Sequence, residues 1–132
     1  MEPRVQYAIT ADGIRVAYWQ MGEGRTLVEM PPIPYSHIEL EWRIPEIRAW
    51  YERVGCGRNL VRYDSRRTGL SDHREDADFS VEAFVADLES VVHRLDVPTF
   101  ALFAPFNAGP PAILYAARHP ERVSQRLWAV RA

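Results

Sequence analysis

Cysteine is nearly absent from this chain of 132 residues. The single Cys56 excludes an internal disulfide and fits a reducing compartment. It stands in Gly55-Cys56-Gly57 with no acidic or histidine neighbour, and reads as a small loop residue rather than a reactive thiol. Lysine is missing altogether: all 16 basic residues are arginine, a compositional bias that assigns no function. A dominant charge is lacking too, because the net charge of −2 creates no field for nucleic acid or a membrane surface. No stretch reaches the ~18 unbroken apolar residues of a membrane span, and the first residues lack the apolar core of a signal peptide. Repeats, low-complexity tracts and linkers are also missing. The expectation is one cytoplasmic domain over residues 1–132, with no nucleic-acid partner, no membrane partner, no cofactor and no metal.

What is present is an ordinary globular balance, 47% hydrophobic and 26% charged, in segments that switch between two periodicities. Val5–Thr10 and Ile14–Trp19 alternate apolar and polar around Ala11-Asp12-Gly13, which predicts a hairpin. Strands are predicted near 26–30, 59–63, 99–103 and 125–130. Pro45 opens a helix whose face carries Ile47, Trp50, Tyr51 and Val54, and Gly55 ends it. Ser80 caps a second helix carrying Phe84, Val85, Leu88, Val91, Val92 and Leu95 on one stripe, with His93 off it. Ala112–Ala117 carries a third, stopped at His119-Pro120. The fold class is therefore α/β and three-layer. Its sheet is mostly parallel, with an N-terminal antiparallel hairpin.

Three local patterns stand out. Pro31-Pro32-Ile33-Pro34 forbids regular structure, because three prolines remove three N–H donors. Asp64-Ser65-Arg66-Arg67-Thr68-Gly69-Leu70-Ser71-Asp72 follows a strand as a polar loop. Leu102-Phe103-Ala104-Pro105-Phe106-Asn107-Ala108-Gly109 reads as a strand, a tight turn and a helix start, with Ala108 and Gly109 small enough for a close crossing. Together with His119-Pro120-Glu121-Arg122-Val123, these frames resemble the first half of the α/β-hydrolases. The Asp64–Asp72 loop is similar to that family's Y-D-x-R-G-x-G-L-S-D segment, with Arg67 at one glycine. The turn is similar to the nucleophile elbow G-x-S-x-G, with Ala104 at the first glycine, Phe106 at the serine and Ala108 at the second glycine.

The resemblance implies a truncated α/β-hydrolase fold lacking the lid, acid and histidine segments, with a degenerate nucleophile position at Phe106. A phenyl ring has no lone pair to attack a carbonyl. In the family one oxyanion-hole donor comes from the loop after the third strand: Pro31 and Pro32 cannot donate, Ile33 can, and Asn107 would supply the other N–H. Pro31, Pro32, Ile33, Pro105, Phe106 and Asn107 are thus the expected lining of an oxyanion-like pocket. Phe106 is expected to point into it or fold onto the prolines. Ser36 and His37 are weak catalytic candidates, and His37 reads better as a loop-packing or hydrogen-bonding residue. Asp64 is expected to satisfy loop N–H groups and pair with Arg66 or Arg67, and Ser71 to cap a turn.

A narrower similarity, carried by Met30–Trp42 and the A-P-x-N-x-G turn, is to hydrolase-like domains attached to class III nucleotide cyclases or helix-turn-helix regulators. It implies a non-catalytic sensing or interaction module from a signalling protein. A small apolar ligand would bind at the crevice beyond the strand ends. The alternatives are an esterase-like hydrolase with a displaced nucleophile, and an inactive fragment of a longer protein. The strand at 125–130 is expected to leave an open sheet edge with Leu127, Trp128 and Val130, and to favour self-association.

Overall fold

The computed structural model describes residues 2–129, and of residues 127–129 the backbone alone. β1 (Gln6–Ile9) and β2 (Arg15–Met21) form the hairpin, and β3 (Arg25–Glu29) follows. After the proline loop come α1 (Ile38–Arg43) and α2 (Pro45–Val54), then β4 (Arg58–Tyr63) and α3 (Val81–Leu95). β5 (Phe100–Pro105) enters a single 3-10 turn at Phe106–Ala108, from which α4 (Gly109–Arg118) departs, and β6 (Val123–Ala129) returns.

The six strands make one sheet in the order β1-β2-β4-β3-β5-β6. β1 and β2 are antiparallel, as are β2 and β4, while β3, β4, β5 and β6 run parallel. The fold class expected from the sequence is therefore the one found. β5 lies inside the sheet, between β3 and β6, and the hairpin forms one edge. β6 is the last strand of the order at the other edge; Leu127, Trp128 and Val130, named above for that edge, fall outside the described side chains.

Alternation along each strand splits the apolar side chains into two cores, because successive residues face opposite sides. Val16 and Tyr18 of β2, Val28 of β3, Val61 of β4 and Phe100, Leu102 and Ala104 of β5 join the core under α3 and α4. Ala17, Trp19, Leu27 and Leu60 join the core under α1 and α2, where Trp19 meets Trp42 and Tyr51 edge to face. Each fully buried Leu or Val contributes about 1.5–3 kcal/mol. α3 buries the predicted stripe, is capped by Ser80 Oγ accepting from the Ala83 N–H, and ends on Asp96 in the left-handed region. α1 was not anticipated: it follows directly on the proline loop and is only 6 residues long.

Candidate functional site

Parallel strands deliver their C-terminal ends to one side of the sheet, and the loops there carry the sequence candidates. β5 ends at buried Pro105, and the next residue, Phe106, takes φ 52. A left-handed residue turns the chain sharply from strand to helix. The Gly109 N–H donates to the Phe106 carbonyl and closes the turn. Ala108 and Ala112 are fully buried, so the close approach of α4 rests on them. Gly109 does not share that role, contrary to expectation, since a Cβ built there would meet nothing within 4 Å. Phe106 itself is 56% exposed rather than folded away.

Asn107 does not leave its neighbour's N–H free. Its Oδ1 accepts from the Ile33 N–H at 2.8 Å, and its Nδ2 donates back to the Ile33 carbonyl. The carboxamide thus clamps the proline loop to the turn as a second peptide would. The N–H that sequence reading left open at Ile33 is occupied by this clamp. Pro31 is buried and Pro32 half-buried beside it.

Ser36 and His37 are adjacent in sequence but serve different partners. The Ser36 hydroxyl donates to Asp64 Oδ1. His37 is the N-cap of α1: its Nδ1 accepts from the Leu40 N–H at 3.1 Å, and its own N–H donates to Glu41 Oε2 at 3.2 Å. The hydrogen-bonding role expected for His37 is observed, and the structure makes no Ser36–His37 pair.

Asp64 is buried and accepts from the N–H groups of Ile38 (3.1 Å) and Leu70 (2.9 Å) as well as from Ser36. It ties the proline loop to the Asp64–Asp72 loop. Burial pushes its carboxyl above the ordinary range, against these donors. It pairs with neither Arg66 nor Arg67, which corrects the expectation. Gly69 lies against it, where a Cβ would collide with the carboxylate. Arg66 instead turns away: its Nε and N–H reach Asp87, each at 2.9 Å, and its Nη1 reaches Asp12 at 2.8 Å. Burial raises Asp87 to about 6, while Arg66 and Thr10 hold Asp12 well below the carboxylate range. Arg67 adopts φ 64 and lays its guanidinium over the Phe79 ring at 4.9 Å. Ser71 Oγ accepts from the Ala17 N–H and donates to the Asp64 carbonyl, so it staples the loop to β2 rather than capping a turn.

Sequence reading missed a second buried cation, Arg62. Its Nη2 bonds Glu41 Oε1 at 2.7 Å, its Nε bonds the Tyr51 hydroxyl at 2.9 Å, and its Nη1 bonds the Tyr63 carbonyl. Its signal was in the sequence: Arg62 sits inside the apolar run Leu60–Tyr63, and Asp87 sits on the buried stripe of α3. A charge at a core position requires a buried partner. Of the other histidines, His73 Nε2 meets the Gly69 carbonyl at 2.8 Å, His119 stacks on Tyr115 and faces Glu89, and His93 is exposed. Cys56 is exposed. Among the described residues no group of three or more His, Cys, Asp or Glu could hold a metal ion, and no helix is long and apolar enough to cross a membrane.

No protein-family profile matches the chain, and no curated protein matches it in sequence. Solved structures do match in shape. An esterase from Exiguobacterium antarcticum superposes with a TM-score of 0.78 at 20% identity, covering 96% of this chain and 45% of its own. An epoxide hydrolase from Vigna radiata gives 0.77 at 20% identity, over 96% and 40%. A bromoperoxidase from Bacillus anthracis gives 0.76 at 20% identity, over 95% and 44%. The chain thus has the α/β-hydrolase fold and spans less than half the length of these proteins. Likeness at this identity defines the fold alone.

Proposed function

We propose that this chain is a non-catalytic α/β-hydrolase-like module with a ligand-sensing or interaction role in a signalling protein. The observation that carries the reading is the turn after β5. It keeps a left-handed residue at the strand-to-helix corner, yet that residue is Phe106, which has no nucleophilic atom. The clamp supports it, because the Ile33 N–H that would face a developing oxyanion already donates to Asn107. Pro32, Ile33, Phe106 and Asn107, backed by buried Pro31 and Pro105, then serve as the contact surface for a small apolar ligand or another domain. Self-association through β6 belongs to the same reading, since that strand ends the sheet order.

A second reading, an esterase-like hydrolase with a displaced nucleophile, is favoured by one contact: the Ser36 hydroxyl donates to buried Asp64. Against it, His37 Nδ1 is spent on capping α1. Turnover of p-nitrophenyl acetate separates the two. The module reading predicts background rates for wild type, Phe106→Ser, Ser36→Ala and His37→Ala alike. Turnover in wild type that Ser36→Ala or His37→Ala abolishes would establish the esterase reading instead.

A further inference from the structure

α3 and α4 cover the same face of the sheet and bury the same core. Outside that core, Arg118 Nη2 reaches Glu82 at 2.7 Å, and His119 Nε2 meets Glu89 Oε2 at 3.4 Å. A pocket of about 310 Å³ lies between the two helices toward their C-terminal ends. Pockets that hold small ligands begin at about this size, ~300 Å³. Glu89, Val92, His93 and Asp96 line it from α3, at the spacing of three or four that puts them on one helix face. Tyr115, His119 and Arg122 line it from α4 and the turn that follows. Both walls therefore belong to the α3–α4 pair itself.

Two donors in this pocket have no acceptor. Tyr115 is 2% exposed, with its ring between Phe100 at 5.9 Å and His119 at 4.7 Å. Its hydroxyl makes no hydrogen bond among the described residues. A buried phenol ordinarily finds a partner. Half-buried Arg122 spends Nη2 on the Val97 carbonyl at 3.0 Å. Its Nε is buried without an acceptor, and its Nη1 makes no bond among the described residues. A carboxylate has two oxygens and can accept from a hydroxyl and a guanidinium together. The α3 wall carries the opposite sign. Asp96 holds the left-handed C-cap at φ 53 and forms no ion pair among the described residues. A plain anion would meet Asp96 and Glu89 as like charges, whereas a molecule with an ammonium beside its carboxylate complements both walls.

We propose that this pocket binds a free amino acid with an apolar side chain. Its carboxylate accepts from the Tyr115 hydroxyl and the Arg122 guanidinium, its ammonium faces Asp96, and its side chain lies against Val92 and the His119 ring. The assignment stands on different residues from the Pro31–Asn107 surface and does not rest on the module reading.

The test is titration of the intact chain with L-phenylalanine and with its two half-charged counterparts, 3-phenylpropionate and 2-phenylethylamine. Calorimetry and the ring resonances of His93 and His119 report binding. Phenylalanine is expected to bind at least about tenfold more tightly than either counterpart. Tyr115→Phe keeps the buried ring and removes only the hydroxyl. It is expected to weaken phenylalanine and phenylpropionate by about threefold to tenfold and to leave phenylethylamine unchanged. Asp96→Asn keeps a residue that tolerates the left-handed cap, and is expected to weaken phenylalanine and phenylethylamine but not phenylpropionate. Phenylalanine binding no tighter than either counterpart would overturn the assignment, as would an affinity that both variants leave unchanged. Absence of saturable phenylalanine binding in the millimolar range would overturn it too.

Discussion

The Asp64–Asp72 loop and the turn after β5 each put a non-glycine residue in the left-handed region, Arg67 at φ 64 and Phe106 at φ 52. They hold it by different means. Around Arg67 the neighbouring polar groups are tied to partners: Arg66 reaches buried Asp87 and exposed Asp12, Asp64 gathers three donors, and Ser71 ties back to β2. Around Phe106 the hold is one backbone bond, the Ala108 contact and the Asn107 clamp. A left-handed non-glycine residue costs about 1–2 kcal/mol, so both corners are paid for elsewhere. The first corner is a charged scaffold; the second is a backbone shape with an exposed phenyl ring at its apex.

That difference can be broken most strongly at Arg66. Arg66→Ala strands the fully buried Asp87 carboxylate and is expected to cost about 3–5 kcal/mol, read by urea unfolding. A loss below about 1 kcal/mol would show that the scaffold does not depend on the pair.

The same pair sets a pH signature. Asp87, raised to about 6, binds its proton more tightly in the folded chain than in the unfolded one. Its contribution is therefore fully present below the ordinary carboxylate pKa near 4 and is lost as pH rises through about 6. Asp12 is lowered, so its contribution is present above pH 4 and is lost in acid. Asp87→Asn is expected to remove the decline in stability between pH 4 and 6, and Asp12→Asn to flatten the acid limb. Melting curves from pH 3 to 8 measure both. An Asp87→Asn profile parallel to wild type would refute the assignment.

Effects at the turn should be smaller. Asn107→Ala removes both bonds of an exposed clamp and is expected to cost about 1 kcal/mol, with faster amide exchange at Ile33. Unchanged exchange there would mean that the clamp does not protect that N–H. Arg67→Gly relieves the backbone but forfeits the Phe79 contact, and should shift stability by less than about 1 kcal/mol.

Much of the sheet was legible because strand alternation and the α3 stripe are local signals. Val28, Val61 and Leu102 on one face, with Leu27, Leu60 and Ala101 on the other, follow from period two alone. α1 was not legible: its six residues carry too short a pattern for a helix period to emerge. The scaffold partners were hidden by distance along the chain. Arg66 and Asp87 are 21 residues apart, Arg66 and Asp12 54, and Ile33 and Asn107 74. Proximity in sequence favoured Asp64 with Arg66, while the fold gave Arg66 to the α3 stripe and Asp64 to the proline loop. Asp87 and Arg62, charged residues at core positions, were the clues that such partners existed.

Intact-mass analysis after incubation with a fluorophosphonate, which bonds covalently to an activated serine, tests the central claim of a hydrolase-like corner without a nucleophile most directly. The account predicts an unmodified wild-type mass. A single adduct mapping to Ser36 or Ser71 would contradict it.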